Sequence, residues 1–440
     1  MEAPASSAPP AESRTLLLDM TGYQWLVLFA AWLGWGFDVF DGLLFNYVAP
    51  NCIPTLLHLK LGSHEAQRAT LQWTGGLTSL LLLGWATGGV LFGKVADHIG
   101  RTRTLLLTMA LYSVGTAACA FAPNIWLLIL FRVVASLGIG GEWAAGAAMV
   151  AEVVPEKRRV EAGALLYTSA PVGLFLATYV TYQIAGVLMK GSPEISWRYV
   201  FLSGLIPAAV AFLVRVFVKE PERWKSTAAQ VSLPRVSELF SPQFRALTIS
   251  GFATAVTALI TWWSCSAFIP LIATKLAQAS PLTAALAEQW KRIATNSFNL
   301  GGLIGTMLTI PASKYLGRKK MFLIYFLLSA ASVMTTFGLA LAPVTRLYMC
   351  FLIGLTVFGV FGSFTYYLPE LFPTRLRGTG AGFCYNIGRV IAAAGPFLVS
   401  RSSGSLESAM HALFWVGIVP LVGLLAMPWV IETRGRALAD

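Results

Sequence analysis

Long apolar stretches separated by short polar connections run along almost the whole chain. A helix needs about 20 predominantly apolar residues to cross a bilayer, and the pattern predicts a series of such spans. Their predicted boundaries are 24–50, 70–93, 104–121, 125–150, 160–188, 197–218, 246–274, 292–313, 320–341, 346–369, 377–400 and 409–431. Bends are predicted at prolines within or beside these spans, namely Pro50, Pro171, Pro207, Pro270, Pro396 and Pro420. The pattern therefore predicts an all-α membrane protein with twelve transmembrane helices.

The longest polar connection, 219–245, divides the chain after the sixth span. Two short motifs recur at the same place in each half: Glu152-x-x-Pro155 as Glu370-x-x-Pro373, and Gly100-Arg101 as Gly317-Arg318. This repetition indicates a duplication, so two pseudo-symmetric six-helix bundles are expected at 24–218 and 246–432. The tails 1–23 and 433–440 are expected in the cytosol, and the first is expected to be disordered. Repeats of this kind place a binding site at their interface, near the middle of the membrane.

Composition agrees with this location and argues against several other functions. Apolar residues make up 56% of the chain and charged residues 12%, roughly half the charged share of soluble domains. Lys and Arg cluster on one side of the predicted spans, which predicts an inner-membrane protein with both termini in the cytoplasm. That clustering accounts for the net charge of +12 without nucleic-acid binding. No metal, cofactor or enzymatic pattern is found, so no cofactor is expected.

Several motifs carry a family resemblance. They are Gly93-Lys-Val-Ala-Asp97-His-Ile-Gly100-Arg101, Asp38-Val-Phe-Asp41, Gly138-Ile-Gly140-Gly141-Glu142-Trp143 and Asn386-Ile-Gly388-Arg389. Together they resemble the major facilitator superfamily and, within it, the metabolite:proton symporters, especially the sialate/lactate-type and aromatic-acid-type carriers. The second half keeps Gly317-Arg318 but has Lys314 where an acidic residue would stand. The resemblance implies the major facilitator fold and proton-coupled, alternating-access symport of a small organic anion, such as lactate or a sialic-acid-like acid. The protein is expected to function as a monomer.

Five ionisable residues fall well inside the predicted spans: Asp38, Asp41, Arg132, Glu142 and Arg389. Each costs about 3 kcal/mol at mid-membrane, so each is a functional candidate. A rise of 1.5 Å per residue places Asp38 and Asp41 about 21 and 26 Å from the inner face, level with Arg132. A nearby guanidinium favours the charged carboxylate whereas burial disfavours it, so a change in pairing would let the acid exchange a proton. Asp38 is slightly preferred as the proton carrier, and a static salt bridge is the alternative.

Arg389 lies about 18 Å into its span, where a guanidinium can hold a substrate carboxylate with two parallel hydrogen bonds. The alternative is a structural tie to Glu142 or to a neighbouring helix, and Glu142 itself is expected to have a structural or gating role. The neutral polar candidates for substrate binding are Asn296, Asn299, Tyr367 and Asn386. Among these, Asn296 and Asn299 rank first because their spacing places them on one helix face.

Charged residues at the cytoplasmic helix ends are predicted to gate the inner mouth. They are Asp97 with Arg101, Glu152 with Arg159, and Glu370 with Arg377. Ion pairs between the two bundles would hold this mouth shut while the outer one is open, unless the positive charges serve to retain topology alone. One alternative function is transport of a different substrate: a neutral sugar, a zwitterion or an aromatic acid. Another is a membrane sensor without transport, and this alternative is disfavoured because no signalling domain is expected.

Overall fold

The computed structural model describes residues 20–99, 101–155, 158–216, 235–373 and 376–435. Besides short 3-10 turns at Val236–Phe240, Ala284–Leu286 and Met427–Trp429, the chain forms twelve long helical segments within these ranges. Their bounds are α1 (Gly22–Leu56), α2 (His64–Ile99), α3 (Arg101–Cys119), α4 (Ile125–Val153), α5 (159–188), α6 (193–216), α7 (Arg245–Gln278), α8 (287–316), α9 (Arg318–Gly338), α10 (343–371), α11 (377–402) and α12 (406–425). The predicted tail 1–23 and linker 219–245 lie largely outside the described residues.

The helices extend beyond several predicted spans. α1 continues past Pro50 to Leu56, and α2 begins at His64 instead of residue 70. Apolar composition marks the part of a helix that lies in lipid, whereas the helix itself can continue into the polar interface. Residues 20 and 435, the first and last that the structure describes, lie at one end of the bundle because the number of helices between them is even. We call this end the inner end and the opposite one the outer end.

Four of the predicted bends coincide with helix interruptions. The first helical pieces of α5, α6, α11 and α12 end at Tyr167, Ser203, Ala392 and Val416. Each of these residues stands four positions before a proline: Pro171, Pro207, Pro396 and Pro420. Proline has no N–H to donate to the carbonyl of residue i−4, so the helix loses a bond there. α1 and α7 instead run through Pro50 and Pro270 without a break.

Glycines determine which face of α8 packs against α10 and which face is directed at the first half of the chain. Gly301 and Gly305, four residues apart, lie so close to α10 that a Cβ on either would overlap its backbone. Such small residues let membrane helices approach closely. With this face against α10, α8 turns Lys291 and Thr295 towards α1 and α5 in the first half of the chain. The halves also meet where α2 packs on α11 and where α1 packs on α7.

Large apolar side chains cover the outside of the bundle. Those with more than half of their surface exposed include Val114, Leu188, Leu213, Leu398 and Leu425. Among the described residues, eight helices are long and apolar enough to cross a membrane by length and composition alone, and Ile125–Gly140 forms a shorter apolar helix. An apolar surface of this extent is stable in lipid rather than in water. The fold class predicted from the sequence is confirmed: an all-α membrane protein of twelve helices in two halves.

The contact between α2 and α4 generates a test of packing. A Cβ at Gly88 would overlap the carbonyl oxygen of Leu137, whereas a Cβ at Gly76, on the same helix, would meet open space. We expect Gly88→Ala to destabilise the protein by about 1–3 kcal/mol through overpacking, and Gly76→Ala to be neutral. Thermal unfolding in detergent, followed by tryptophan fluorescence, measures the difference. Equal unfolding temperatures for the two variants would contradict this account of the α2–α4 contact.

Candidate functional site

The structure brings Asp41 of α1 and Arg132 of α4 together in the first half. Both are almost fully buried, at 2% and 3% exposed. The Arg132 guanidinium donates to the backbone carbonyls of Asp41, at 3.3 Å, and Gly42, at 2.6 Å. It also interacts electrostatically with the Asp41 carboxylate, which accepts a 2.6 Å hydrogen bond from the Thr116 hydroxyl of α3. The buried acid and base therefore share one level of the membrane, and their positions are set by three helices.

Asp38 lies one helical turn nearer the inner end of α1 and is fully buried. The hydrogen bonds of Arg132 reach residues 41 and 42, one turn further outward. A carboxylate at this depth is costly in a membrane and is a candidate for function. The two aspartates predicted from the sequence thus lie on adjacent turns of α1, and Asp41 is the one beside the guanidinium.

Arg389 of α11 occupies the interface between the halves and is 2% exposed. Its guanidinium lies 4.7 Å from the ring centroid of Trp85, on α2, and 4.6 Å from that of Tyr385, on α11. One guanidinium nitrogen donates to Asn386 Oδ1 at 2.9 Å. Aromatic faces stabilise a cation, more strongly where water is excluded. The two predicted substrate residues Arg389 and Asn386 therefore form one unit, completed by Trp85 from the other half.

The other predicted substrate residues lie elsewhere. Asn299 is fully buried on α8, where its side chain lies within hydrogen-bonding reach of the Tyr47 hydroxyl of α1. Asn296 is half-buried, and its amide oxygen has no hydrogen-bond partner among the described residues. Tyr367 lies at the inner end, where its hydroxyl is 2.7 Å from the Ser250 hydroxyl and donates to the Ile431 carbonyl at 3.1 Å. These contacts tie α10 to α7 and to the segment after α12, so they give Tyr367 a structural role.

Aromatic rings fill the centre between the halves. Tyr167 of α5 stacks on Phe361 of α10 at 5.9 Å, and Trp262 of α7 lies 5.3 Å from Phe358. Outward of these rings is a small cavity with room for about one water molecule. It is lined by Leu43, Asn46, Tyr47, Leu174, Ser266, Ile269, Pro270, Thr295 and Phe298. A metabolite does not fit a space of this size, so the halves must separate before one can enter.

One face of α8 joins the halves at the outer end. The Lys291 ammonium donates to the Tyr47 carbonyl of α1 at 2.7 Å, and Thr178 of α5 donates to Thr295 at 3.2 Å. The Arg292 guanidinium lies 4.0 Å from the ring centroid of Tyr182, also on α5. Sequence reasoning missed Lys291 because the predicted span begins at residue 292. The signal that could have found it is the spacing of Glu288, Lys291 and Thr295, which places polar residues along one face at the start of α8.

At the inner end, Lys314 of α8 forms an ion pair of 2.6 Å with Glu161 of α5, across the halves. Of the gating residues predicted from the sequence, the structure describes the side chains of only Glu370 and Arg377. The side chains of Asp97, Arg101, Glu142, Glu152 and Arg159 lie outside the described residues. Arg377 donates to the Pro369 carbonyl at 3.2 Å. Within the part of the chain that the structure describes, the halves are thus joined at the inner end by a cross-half pair that was not predicted from the sequence.

Glu370 was predicted to take part in ion pairs across the bundles, whereas in the described conformation it pairs within its own half. Its carboxylate accepts two bonds from the Arg318 guanidinium of its own half, at 3.1 and 2.7 Å, and one from the Thr433 hydroxyl at 2.6 Å. The planar fork of Arg318 matches a carboxylate, which explains the preference for this partner. Thr433, placed by the sequence in a tail, is therefore anchored to α10.

Glu432 caps the start of α9. Its carboxylate accepts backbone N–H bonds from Arg318 and Arg434, each at 2.9 Å, and from Lys319 at 3.0 Å. Partial burial alone would raise the pKa of Glu432, but these bonds and the Arg318 guanidinium lower that pKa below its usual value. Gly317, at φ 88°, leads into the helix with a backbone conformation that favours glycine.

Comparison with known proteins gives consistent matches. Residues 24–396 match the family model of the Major Facilitator Superfamily. A probable 4-methylmuconolactone transporter of Cupriavidus pinatubonensis is 30% identical, over 93% of this chain and 91% of that protein. The sialic acid transporter NanX of Escherichia coli is 27% identical, over 86% of this chain and 87% of its own. A crystal structure of a D-xylose-proton symporter superposes with a TM-score of 0.73 at 19% identity, covering 95% of this chain and all of that one.

The Glu432 cap predicts a pH-dependent contribution to stability. Because its pKa is lowered in the folded protein, the contribution is present above the usual pKa of a glutamate and is lost as the pH falls through the folded value. We expect Glu432→Gln to unfold at a lower temperature than the wild type at pH 7, with the gap narrowing below about pH 4.5. Thermal unfolding across pH measures it. Glu407→Gln, at an exposed position in the first turn of α12, is the control. If the difference in unfolding temperature between Glu432→Gln and the wild type does not change with pH, the assignment of Glu432 as a cap is rejected.

Proposed function

The chain belongs to the major facilitator superfamily, and from this premise we propose that it transports a small organic anion together with protons. The substrate is a monocarboxylate such as lactate, or a sialic-acid-like acid. The observation that supports this most directly is the buried Arg389 guanidinium, held between aromatic rings from both halves. The halves separate alternately at the outer and inner ends, so the site opens to one side at a time.

The surroundings of Arg389 favour a carboxylate. The rings of Trp85 and Tyr385 lie against the guanidinium, and its N–H groups point outward in the plane of the guanidinium, where they donate to oxygen acceptors such as Asn386 Oδ1. A carboxylate can accept two such parallel bonds, which gives both affinity and orientation. Trp85 belongs to the first half and Arg389 to the second. A substrate held here would therefore sense the relative position of the halves.

We assign proton coupling to the Asp41–Arg132 pair. Depth alone favoured Asp38, but Asp41 is the acid that Arg132 and Thr116 surround. When water reaches Asp41 from the outer side, a carboxylate oxygen can take a proton, which removes its attraction for the guanidinium. After the inner end opens, release of that proton to the inner water restores the charge. Arg132 stays with α1 throughout through its bonds to the two backbone carbonyls.

The remaining features complete the proposal. The basic clusters place the inner end in the cytoplasm, so that the protein spans the inner membrane with both termini inside the cell. The bundles at 24–218 and 246–432 move as units about the 219–245 linker, and one chain suffices for transport. The charged inner-end residues, among them Asp97, Glu152 and Arg159, act with the Lys314–Glu161 pair as the inner gate.

A second candidate substrate class is an aromatic acid. It is favoured by the rings around Arg389, since Trp263 packs edge-on against Trp85 at 5.5 Å and Trp262 lies 4.7 Å from Trp263. A planar aromatic substrate could stack among them while its carboxylate binds the guanidinium. Uptake of benzoate in preference to lactate and N-acetylneuraminate would decide for this class.

Asp41→Asn is expected to abolish proton-driven accumulation. In liposomes with an inward proton gradient, the wild type should accumulate lactate or N-acetylneuraminate, because protonation of Asp41 couples the two fluxes. The variant should reach no higher level than without the gradient, while exchange of the acid at symmetrical pH persists. Thr116→Val removes the hydrogen bond but keeps the carboxylate, so it should remain coupled. Wild-type accumulation by both Asp41→Asn and Asp38→Asn would reject the coupling scheme.

Arg389→Lys is expected to weaken binding of the acid at least about tenfold, since lysine loses the two-point geometry and the stacking of the guanidinium. Binding to purified protein, measured by calorimetry with the acid and with its neutral amide, checks this. Arg401→Lys is the matched control, because Arg401 lies on the same helix against the Phe397 ring but is exposed. If a neutral sugar binds the wild type and Arg389→Lys equally well, and the acid binds neither, the result would instead support transport of a sugar.

A further inference from the structure

The outer end of α8 presents a row of polar residues to the first half of the chain. Glu288, Lys291, Arg292 and Thr295 are spaced as neighbours on one helix face. Asn51 of α1 donates to Glu288 at 3.5 Å, and the other three make the contacts to α1 and α5 described above. This row therefore lies on the surface that must part when the outer end opens.

Lys291 is the most deeply buried charge in this row, at 3% exposed. Its ammonium lies 2.7 Å from Glu288 Oε2. The two groups form an ion pair, but their relative orientation does not meet the angles of a hydrogen bond. It donates at 2.7 Å to the Tyr47 carbonyl. An ammonium has three N–H donors and needs acceptors when buried. One of its two acceptors thus belongs to its own helix, and the other belongs to the opposite half.

Opening the outer end withdraws the Tyr47 carbonyl, because α1 moves with the first half. The ammonium is then left beside the small cavity that Tyr47 and Thr295 line. Asn46 lines the same cavity and is 3% exposed, and its side-chain Nδ2 has no hydrogen-bond partner among the residues that the structure describes. A cation and an amide donor would then face one space between the halves. Two donors of this kind suit a carboxylate.

We propose that Lys291 and Asn46 form an outer receiving site for the carboxylate of the transported acid, and that Glu288 competes with the substrate for Lys291. With the outer end closed, the Glu288 carboxylate and the Tyr47 carbonyl satisfy the ammonium. With it open, the substrate carboxylate replaces the Tyr47 carbonyl on Lys291 and accepts from Asn46 before moving inward to Arg389. This inference rests on the proposed function, since it needs an anionic substrate.

Because Glu288 competes with the substrate, substitutions of Lys291 and Glu288 should change KM in opposite directions. If the two residues only held the halves together, the two substitutions would not have opposite effects on KM. For uptake of lactate and N-acetylneuraminate into liposomes, Lys291→Gln should raise KM at least about tenfold, the loss of one charge-assisted bond. Glu288→Gln should lower KM, because it removes the competing carboxylate. Lys291→Arg keeps the charge and should restore most of the affinity, and Lys60→Gln, at an exposed outer-loop position, should leave KM unchanged. If Lys291→Gln and Glu288→Gln shift KM in the same direction, or change the maximal rate alone, the receiving site is rejected.

A binding measurement separates this inference from the function on which it rests. Thermal unfolding of purified protein is compared in sodium lactate, sodium N-acetylneuraminate and sodium chloride at equal ionic strength, since a bound ligand stabilises the folded state. The two acids should raise the unfolding temperature of Glu288→Gln more than that of the wild type, relative to sodium chloride. The double variant Glu288→Gln/Lys291→Gln should lose this increase. If that holds while no acid accumulates under a proton gradient, the proposed function fails and the site stands. If the acids accumulate while all the variants keep the wild-type KM, the site fails and the function stands.

Discussion

A charge buried in a bilayer must be held by protein groups, because the surrounding lipid offers neither donors nor acceptors. The structure meets this constraint differently at each charge. Arg132 is held by two backbone carbonyls of α1, and Arg389 by two aromatic rings and an amide oxygen. Lys291 is held by a glutamate and a carbonyl. Where the holding group comes from the opposite half, as for Arg389 and Lys291, any movement of the halves changes the energy of the charge.

The two ends of the interface are therefore unequal. The Lys291 ammonium is almost fully buried and depends on a carbonyl of the first half, so opening the outer end leaves it short of an acceptor until water or an anion arrives. At the inner end, the Lys314 side chain is 45% exposed, and a pair in contact with water contributes about 0–1 kcal/mol. Separating that pair costs little because water replaces each partner. Among the described contacts, the Lys314–Glu161 pair is therefore the one that separates at lower cost, and the proposed receiving site lies at the end where a buried charge loses its acceptor.

Much of this architecture follows from the sequence. Apolar length fixed the number of crossings, and the prolines marked four of the interruptions, because both effects depend on local composition. Counting residues along α1 and α4 placed Asp41 and Arg132 at one depth. Depth along a helix does not say which face a residue occupies, however. Tyr367 and Glu370 were accordingly assigned to the cavity and to the cross-bundle gate, although their partners Ser250 and Arg318 belong to the same half.

The missed charges have a related cause. Lys275 and Lys291 are both buried, yet each stands one residue outside a predicted span, at 246–274 and 292–313. An apolar window ends at the first charge, so it treats a buried lysine at a helix end as a boundary. The glycine contacts that orient α8 come from α10, more than forty residues away, and a local pattern does not contain them. Pairing between distant helices is the part of the site that required coordinates.

The identity of the buried charges also restricts how protons can be coupled to transport. A guanidinium keeps its proton in proteins, so neither Arg132 nor Arg389 can carry one between solutions. The histidines whose side chains are described, His58, His64 and His411, lie in a loop or near helix starts at the outer end, far from the centre. Among the described carboxylates, Asp38 and Asp41 lie deep in the spans and can bind and release a proton. Since Arg132 is tied to the α1 backbone, it follows the aspartates through any movement of the halves. In the proposed symport, coupling therefore arises from changing water access to α1, rather than from the arginine moving away.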